Sequence, residues 1–596
     1  MFQSLPHFFD AMKKQEITIA QHQRLSDVLT EIPTNVILNK TITGCGATYS
    51  EIHAKRNSII IEPNLPVIDG KCAKHPDIFG VKEGVTKEEI VAYLKHKTDC
   101  GYHKILTIPE SFPKVRSALY EVAERIYDDW FLLFDECERT IQDAGFRGTI
   151  TLPMDDFFRC RNKAMVSATP IVPSDPRFVQ QGFRQLILSP SYDHKQTIQL
   201  VHTNDIVRWL SSFERISTKH QLPCCIFVNS AELIYQLIKT LRLESRCKVF
   251  CSADSAKRLR TLGLNEVHTI LEELAEVNFF TSRFYSAVDI DCDKRVGVIM
   301  LSDPRFADYT MIDPLTESVQ IAGRFRNGIE DIAHIFFTDS ELSYETREQL
   351  TKELESCEEV YKAVCTISPT TDRAEKSKQD ALRGMDHHRF MREDGSRNYF
   401  MWDNAYDDER IKQYYTDPML LKTAYEQTFH VEYNEHIYSD DECVRLIRPV
   451  QKIDSRDLFR GVVKQLEQYE DSNLPVQYIQ STLVNQLHLM IDTYYAFGKE
   501  TIEARGYRLD KFKEELRENE CQMLLSCDAM KEHIYSRLKV GETVSVREVR
   551  SILTQAIDHF GIPYKKEVSS RLLKHFFKFE KRRTKHERQI QITKKR

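Results

Sequence analysis

The chain alternates between short, strongly apolar runs and longer amphipathic stretches, and this alternation predicts its architecture. Between residues 33 and 190 the runs are NVILN at 35–39, SIIIEP at 58–63, KILTIP at 104–109, WFLLFDE at 130–136 and KAMVSATP at 163–170. They are rich in β-branched and aromatic residues and are separated by helical spacing. That is the pattern of buried parallel strands joined by crossover helices. Residues 191–340 repeat it with TIQLVH, CCIFVN, CKVFCS, NFFTS, RVGVIML and IAHIFFTD. From 341 the runs lengthen and take helical spacing: SELSYETREQLTKELESCEEVYKAV, STLVNQLHLMIDTYYAFGKETIEA and DKFKEELRENECQMLLSC. A polar, loop-rich stretch is expected at 366–410.

Five segments follow from this reading. Residues 1–32 form an N-terminal helical segment closed by Pro33. Residues 33–190 and 191–340 form two tandem α/β domains with parallel sheets. A mainly helical accessory region covers 341–530, and a small helical or winged-helix-like module with a basic tail covers 531–596. The length of 596 residues agrees, since roughly 150 residues per domain gives about three or four domains.

Composition narrows the class. The net charge is −6, so any nucleic-acid surface must be a local patch. One candidate is the stretch from Arg571 to Arg596, with eleven Lys and Arg against two Glu, although a solvated tail has the same composition. The fifteen cysteines form no paired CxxC framework, which excludes a recognisable zinc site or disulfide scaffold and fits a reducing cytoplasm. No run reaches the roughly 18 apolar residues of a membrane span, and the N-terminus lacks a signal-peptide core. A soluble, cytoplasmic protein is expected.

In a parallel sheet, chemistry sits at the carboxyl ends of the strands. WFLLF delivers Asp135-Glu136-Cys137-Glu138 to such an end. Asp135 is placed to hold Mg²⁺ and Glu136 to polarise the attacking water, though a solvated acidic turn has the same local pattern. VILN leads into Thr41-Ile42-Thr43-Gly44-Cys45-Gly46-Ala47-Thr48. A glycine-rich turn between strand and helix lets backbone N–H groups face a phosphate, and Thr48 is placed to bind Mg²⁺. Further along lie Ser167-Ala168-Thr169-Pro170, then Thr281-Ser282-Arg283 with Val288-Asp289-Ile290, then Gln320-Ile321-Ala322-Gly323-Arg324-Phe325-Arg326. Arg324 and Arg326, from the second α/β unit, are placed to reach a γ-phosphate bound by the first.

Glycine loop, DECE, SAT, TS with VDI, and QxxGRxR occur in the linear order of superfamily 2 helicases, and residues 20–340 resemble that family. The resemblance implies two RecA-like domains, ATP and Mg²⁺ as cofactors, and a nucleic-acid partner. It implies that Gly44, Cys45, Gly46, Ala47, Thr48, Lys40, Gln320 and Asp289 bind nucleotide and that Glu136, Asp135, Arg324 and Arg326 act in hydrolysis. Ser167 and Thr169 would couple hydrolysis to domain movement. Thr281 and Ser282 would link nucleotide to nucleic acid, and Asn64 and Thr107 fall on backbone-contacting loops. Gln23 stands near the position of an adenine-reading glutamine. The QxxGRxR spacing resembles herpesvirus origin-binding helicases more than DEAD-box RNA helicases, which favours DNA. Protein partners would dock on the helical C-terminal region.

Three departures stand out. Glu138 closes the acidic motif where His or Asp is usual, Ala287 replaces a glycine, and Ala47 replaces the lysine that normally supplies a full positive charge at the β/γ-phosphates. Two explanations remain open. Another lysine substitutes, with Lys40 the nearest candidate, or the chain is an ATPase-deficient nucleic-acid-binding scaffold.

Overall fold

The computed structural model describes residues 12–96, 98, 101–211, 222–286, 290, 292–325, 327–392, 394–438, 456, 459–460, 462–464, 466–467, 484–512, 515–516, 528–560, 568–583 and 588–595. Two eight-stranded sheets with helices around them form its α/β frame.

The first sheet is built from β1 (Lys14–Ile19), β2 (Val36–Asn39), β3 (Ser58–Ile61), β4 (Phe79–Val81), β5 (Lys104–Thr107), β6 (Phe131–Asp135), β7 (Asn162–Ser167) and β8 (Arg184–Pro190). Their order is β1-β8-β2-β7-β6-β3-β5-β4, and every pair is parallel. Alternate residues of each strand enter different cores. Ile59, Ile61, Leu132 and Phe134 join one cluster, whereas Ile60, Phe131 and Leu133 join another. Both faces are therefore apolar, which is why these strands read as continuous hydrophobic runs.

The remaining parallel strands are β9 (Thr197–Thr203), β10 (Cys224–Phe227), β11 (Cys247–Phe250), β12 (Val267–His268), β13 (Val277–Phe280), β14 (Val296–Ser302) and β15 (Ile329–Phe336). β16 (His430–His436) completes the second sheet. The chain divides into two compact units. One comprises residues 1–202, 282–304 and 308–436, and the other 203–281, 305–307 and 437–596. This division differs from the five segments read from the sequence. Residues 313–324 belong to the first unit because Thr316, Glu317 and Gln320 bond or pair with Gln142, Arg139 and Glu136.

The expected tandem parallel sheets are present, and three local expectations are corrected. The N-terminal segment is helical only over Leu25–Val28 in its described part: Lys14–Ile19 forms β1 instead, because KQEITI alternates polar and β-branched residues and finds a free edge beside β8. The stretch 366–410 is not loop-rich. It holds helices Asp372–Gly384 and Tyr399–Tyr414, the first capped by Thr371 and the second burying Phe400, Met401 and Trp402. The basic C-terminal stretch is not a solvated tail. It folds into β18 (Phe577–Arg583) and β19 (Arg588–Lys595), an antiparallel hairpin joined on the β19 side by β17 (Thr543–Ser545). Helices Asp528–Arg537 and Val546–His559 pack on it through Ile534, Leu553, Phe577 and Ile590. Apolar residues at alternate positions of the hairpin bury one strand face.

No helix among the described residues is long and apolar enough to cross a membrane, and no cluster of metal-ligating side chains occurs among them.

Leu133 lies at 0 % exposure in β6, flanked by β7 and β3. Leu133→Ala is expected to destabilise the first unit by about 2–5 kcal/mol. Denaturant unfolding checks this, and a loss under about 1 kcal/mol would be too small for a buried central strand.

Candidate active site

The strand order decides which loops meet. β2, β7, β6 and β3 are consecutive neighbours and run parallel, so their carboxyl ends lie side by side. Lys40 follows β2, Glu62 follows β3, Asp135 ends β6 with Glu136 next, and Ser167 ends β7. All five are buried. Two residues here hold left-handed backbone, Thr41 at φ 57° and Glu136 at φ 46°, a conformation that costs free energy for a side chain of this kind. The loop after β2 turns through Gly44 at φ 74° and Gly46 at φ 88°, where glycine is needed.

The side chains form a dense charged cluster. The Lys40 ammonium stands 3.6 Å from Asp135 Oδ1 and 3.5 Å from Glu136 Oε1. On the other oxygen of Asp135, Thr48 Oγ1 donates a hydrogen bond and Lys71 Nζ donates another at 3.4 Å. Lys71 comes from helix Leu65–Lys74 and also pairs with Glu62 Oε1 at 2.5 Å. Burial alone would raise the Asp135 pKa, but Lys40 and Lys71 outweigh it and hold the carboxyl down at about 2. Glu62 is pushed up to about 7 by burial, only partly offset by Lys71.

Behind Glu136 stands Gln320, from helix Glu317–Ala322. Its Nε2 donates to Glu136 Oε2 at 2.9 Å and to Glu138 Oε1 at 3.1 Å, and lies near the hydroxyls of Ser167 and Thr169. Ser167 Oγ also donates to Glu136 Oε2 at 3.3 Å, and Thr169 N donates to Ser167 Oγ. Arg324 donates from Nε and Nη2 to the carbonyl and Oε1 of Gln320, both at 2.7 Å, and its Nη2 reaches 4.0 Å from Glu136 Oε1. Next to it, a Cβ added to Gly323 would collide with the Thr43 side chain, so glycine there lets the helix end approach the loop after β2. Glu138 is fully buried, and burial followed by the nearby Glu136 charge pushes its pKa up to about 8.

A cavity of about 190 Å³ opens on this cluster. Gly44, Cys45, Gly46, Ala47 and Thr48 line it, together with Lys40, Lys71, Asp135, Glu136 and Arg324. A larger cavity of about 830 Å³ is lined by Thr41–Thr43, Thr169, Tyr192, Phe429 and Arg410 among others. Among the described residues, Arg410 is the one Lys or Arg lining the larger cavity, so the smaller cavity, with more cations and the glycine loop, suits a polyanion better. Positive-φ glycines, a hydroxyl against a carboxylate and four cationic side chains, Lys40, Lys71, Lys74 and Arg324, also suit a phosphate chain with a divalent cation, held by Thr48 and Asp135.

Most residues singled out in the sequence gather here. Gly44 to Thr48, Lys40, Asp135, Glu136 and Arg324 line one cavity, with Gln320, Ser167 and Thr169 directly behind. Others lie outside it. Thr107 Oγ1 turns to the carbonyl of Ile108, and Asn64 Nδ2 donates to the carbonyl of Arg283. Thr281 N is bonded to the carbonyl of Phe250, and Ser282 begins a 3₁₀ turn. Gln23 Oε1 accepts from the backbone of Ala20. Arg326, Asp289 and Ala287 lie outside the described residues. Sequence reasoning missed Lys71 and Glu62. Glu62 stands directly after SIII, at the end of an apolar run, which is a signal for it. Lys71 carries none, because 64 residues separate it from its partner Asp135.

No family model matches the chain, and no curated protein matches it. Among solved structures, Mycobacterium smegmatis helicase Lhr, bound to ssDNA and AMP-PNP, matches over 54 % of this chain and 45 % of its own, with 14 % identity and a TM-score of 0.32. S. cerevisiae Dbp5, bound to RNA and ADP BeF3, matches over 59 % of this chain and 89 % of its own, at 15 % identity and a TM-score of 0.34. RecG bound to a three-way DNA junction matches over 54 % of this chain and 42 % of its own, at 13 % identity and a TM-score of 0.30. The chain thus spans less than half the length of Lhr and of RecG.

The raised Glu138 pKa has a signed consequence. Between its ordinary 4.5 and about 8, the folded chain keeps a proton that the unfolded chain has lost. Stability is therefore greatest at the acid end of that window and falls as pH rises through it. The melting temperature is expected to drop across this range, and Glu138→Gln to flatten the drop. An unchanged slope in the variant would show that Glu138 is not the group responsible.

Proposed function

We propose that this protein is an ATP-dependent helicase or translocase of superfamily 2 type, acting on nucleic acid, with DNA favoured. The observation that carries the reading is the approach of Arg324 and Gln320 to the Asp135–Glu136 pair beside a glycine loop. An acidic pair alone, or a glycine loop alone, recurs in many folds. A guanidinium and two adjacent carboxylates around a cavity lined by the glycine loop suit phosphoryl transfer.

Each residue then has a distinct task. The loop of Gly44 to Thr48 turns its amides toward phosphate oxygens. Thr48 and Asp135 would hold Mg²⁺, which would offset phosphate charge, while ATP would supply the phosphoanhydride to be cleaved. Glu136 accepts the proton of the attacking water. It is aimed by Gln320, Ser167 and its own strained backbone. Lys40 offsets the charge of both carboxylates. Arg324, braced by two bonds to Gln320, stabilises the charge that develops on the transferred group. Ser167, Thr169 and Gln320 link the acidic motif to helix Glu317–Ala322, so a change at Glu136 is felt by the segment that carries Arg324. Asp289 and Arg326 are assigned to the ribose and to the outer phosphate by resemblance, and Thr281, Ser282, Asn64 and Thr107 to the nucleic-acid side. The basic hairpin at 577–595 adds grip on phosphates, and the helical region from 341 offers surface for protein partners.

A second reading, the ATPase-deficient scaffold, is favoured by Ala47 alone. Steady-state ATPase with and without single-stranded DNA separates the two. Wild type is expected to turn over ATP faster with DNA. Glu136→Gln should lose about 10²-fold or more of kcat, as loss of a general base does. Wild-type turnover no greater than that of Glu136→Gln, with DNA binding intact and indifferent to ATP, would replace the motor by the scaffold. DNA affinity should also fall steeply as salt rises.

A further inference from the structure

With Ala47 in the phosphate loop, the site lacks its usual cation, and two lysines flank Asp135. Their surroundings differ. Lys40 has a side chain 8 % exposed, and its ammonium lies against both Asp135 and Glu136. Its backbone N–H is bonded to the carbonyl of Ser167 at the end of the neighbouring strand. It is a counter-charge fixed between two buried carboxylates, and moving it would leave them unpaired. Lys71 has a side chain 25 % exposed, stands in the last turn of helix Leu65–Lys74, and lines the cavity with the glycine loop.

Lys71 also holds its partners unequally. It is 2.5 Å from Glu62 and 3.4 Å from Asp135 Oδ2, the oxygen that Thr48 also uses. Thr48 and Oδ2 are the pair assigned above to a divalent cation, so Lys71 and that cation compete for one oxygen. Glu62 is a separate anchor, fully buried at the end of β3, with Oε2 making no hydrogen bond. A long, flexible stem tethered at Glu62 can give up Asp135 and turn its ammonium to a neighbouring anion in the same cavity.

We propose that Lys71 is the cation that meets the nucleotide's terminal phosphates in place of the missing loop lysine, with Glu62 as its holder and Lys40 as the fixed counter-charge of the acidic pair. The inference rests on the ATP-binding reading above and deepens it. It puts the substituting charge on a helix after β3, not on the loop after β2. It predicts that Lys71 discriminates triphosphate from diphosphate, because the outermost phosphate carries the charge it meets.

The test is equilibrium binding of fluorescent ATPγS and ADP analogues to the full-length protein with Mg²⁺, supported by melting temperatures. In Lys71→Ala and Lys71→Gln, affinity for the triphosphate is expected to fall about tenfold or more, with a smaller change for the diphosphate. Lys71→Arg should keep much of the preference. Lys40→Ala should lower the melting temperature and weaken triphosphate and diphosphate binding alike, without removing the preference between them. The Lys71→Gln variant keeps a polar side chain beside Glu62 without the charge, and its melting temperature guards against a simple folding defect. Triphosphate binding at wild-type strength in a folded Lys71→Gln would overturn the Lys71 assignment and leave the ATP-binding reading intact. Failure of the wild type to bind either analogue would overturn both.

Discussion

One carboxylate organises the centre of this molecule. Asp135 is buried at the end of β6 and faces a lysine on each side, Lys40 on Oδ1 and Lys71 on Oδ2, with the Thr48 hydroxyl on the second oxygen as well. A charge taken out of water is tolerated only when it is paired and hydrogen-bonded. The loop after β2, the helix after β3 and the strand end of β6 are thereby tied to one group. The low pKa of Asp135 is the electrostatic expression of that arrangement. Everything further out depends on it, including the placement of Glu136 and, through Gln320, that of Arg324.

Around this centre the structure shows an uneven distribution of charge. Asp135 is held ionised, whereas Glu62 and Glu138, equally buried, are pushed toward the protonated form. Carboxyl groups whose surroundings drive them apart commonly mark a working site. Here the division has a physical logic. Glu138 contacts the Gln320 amide, which also holds Glu136, and burial next to a second carboxylate favours a neutral acid there. The residue that departs from the usual acidic motif is thus accommodated by an amide donor and by protonation.

Several readings made from the sequence depend on local information and hold for that reason. A run such as SIIIEP or WFLLFDE is long enough and apolar enough to be a strand buried on both faces, and β3 and β6 are such strands. Gly44 and Gly46 do take left-handed backbone, as a tight loop between strand and helix requires. Where local patterns were ambiguous, tertiary context decided. KQEITI became an edge strand because β8 offers an unpaired edge. The basic C-terminal stretch became a hairpin because its alternate apolar residues have helices to pack on.

By itself, the sequence determined the alternation of strand and helix, the glycine loop, the acidic strand end and the QxxGRxR run. Each is written in a few consecutive residues whose spacing and side-chain chemistry suffice. Only the tertiary structure decided which cations serve the acidic pair. Strand order placed β3 beside β6, which brought Lys71 and Glu62 to Asp135, and a salt bridge across 64 residues leaves no trace in local pattern. Tertiary contact likewise showed that Gly323 is needed where the helix end meets Thr43, a close approach that no propensity or periodicity encodes.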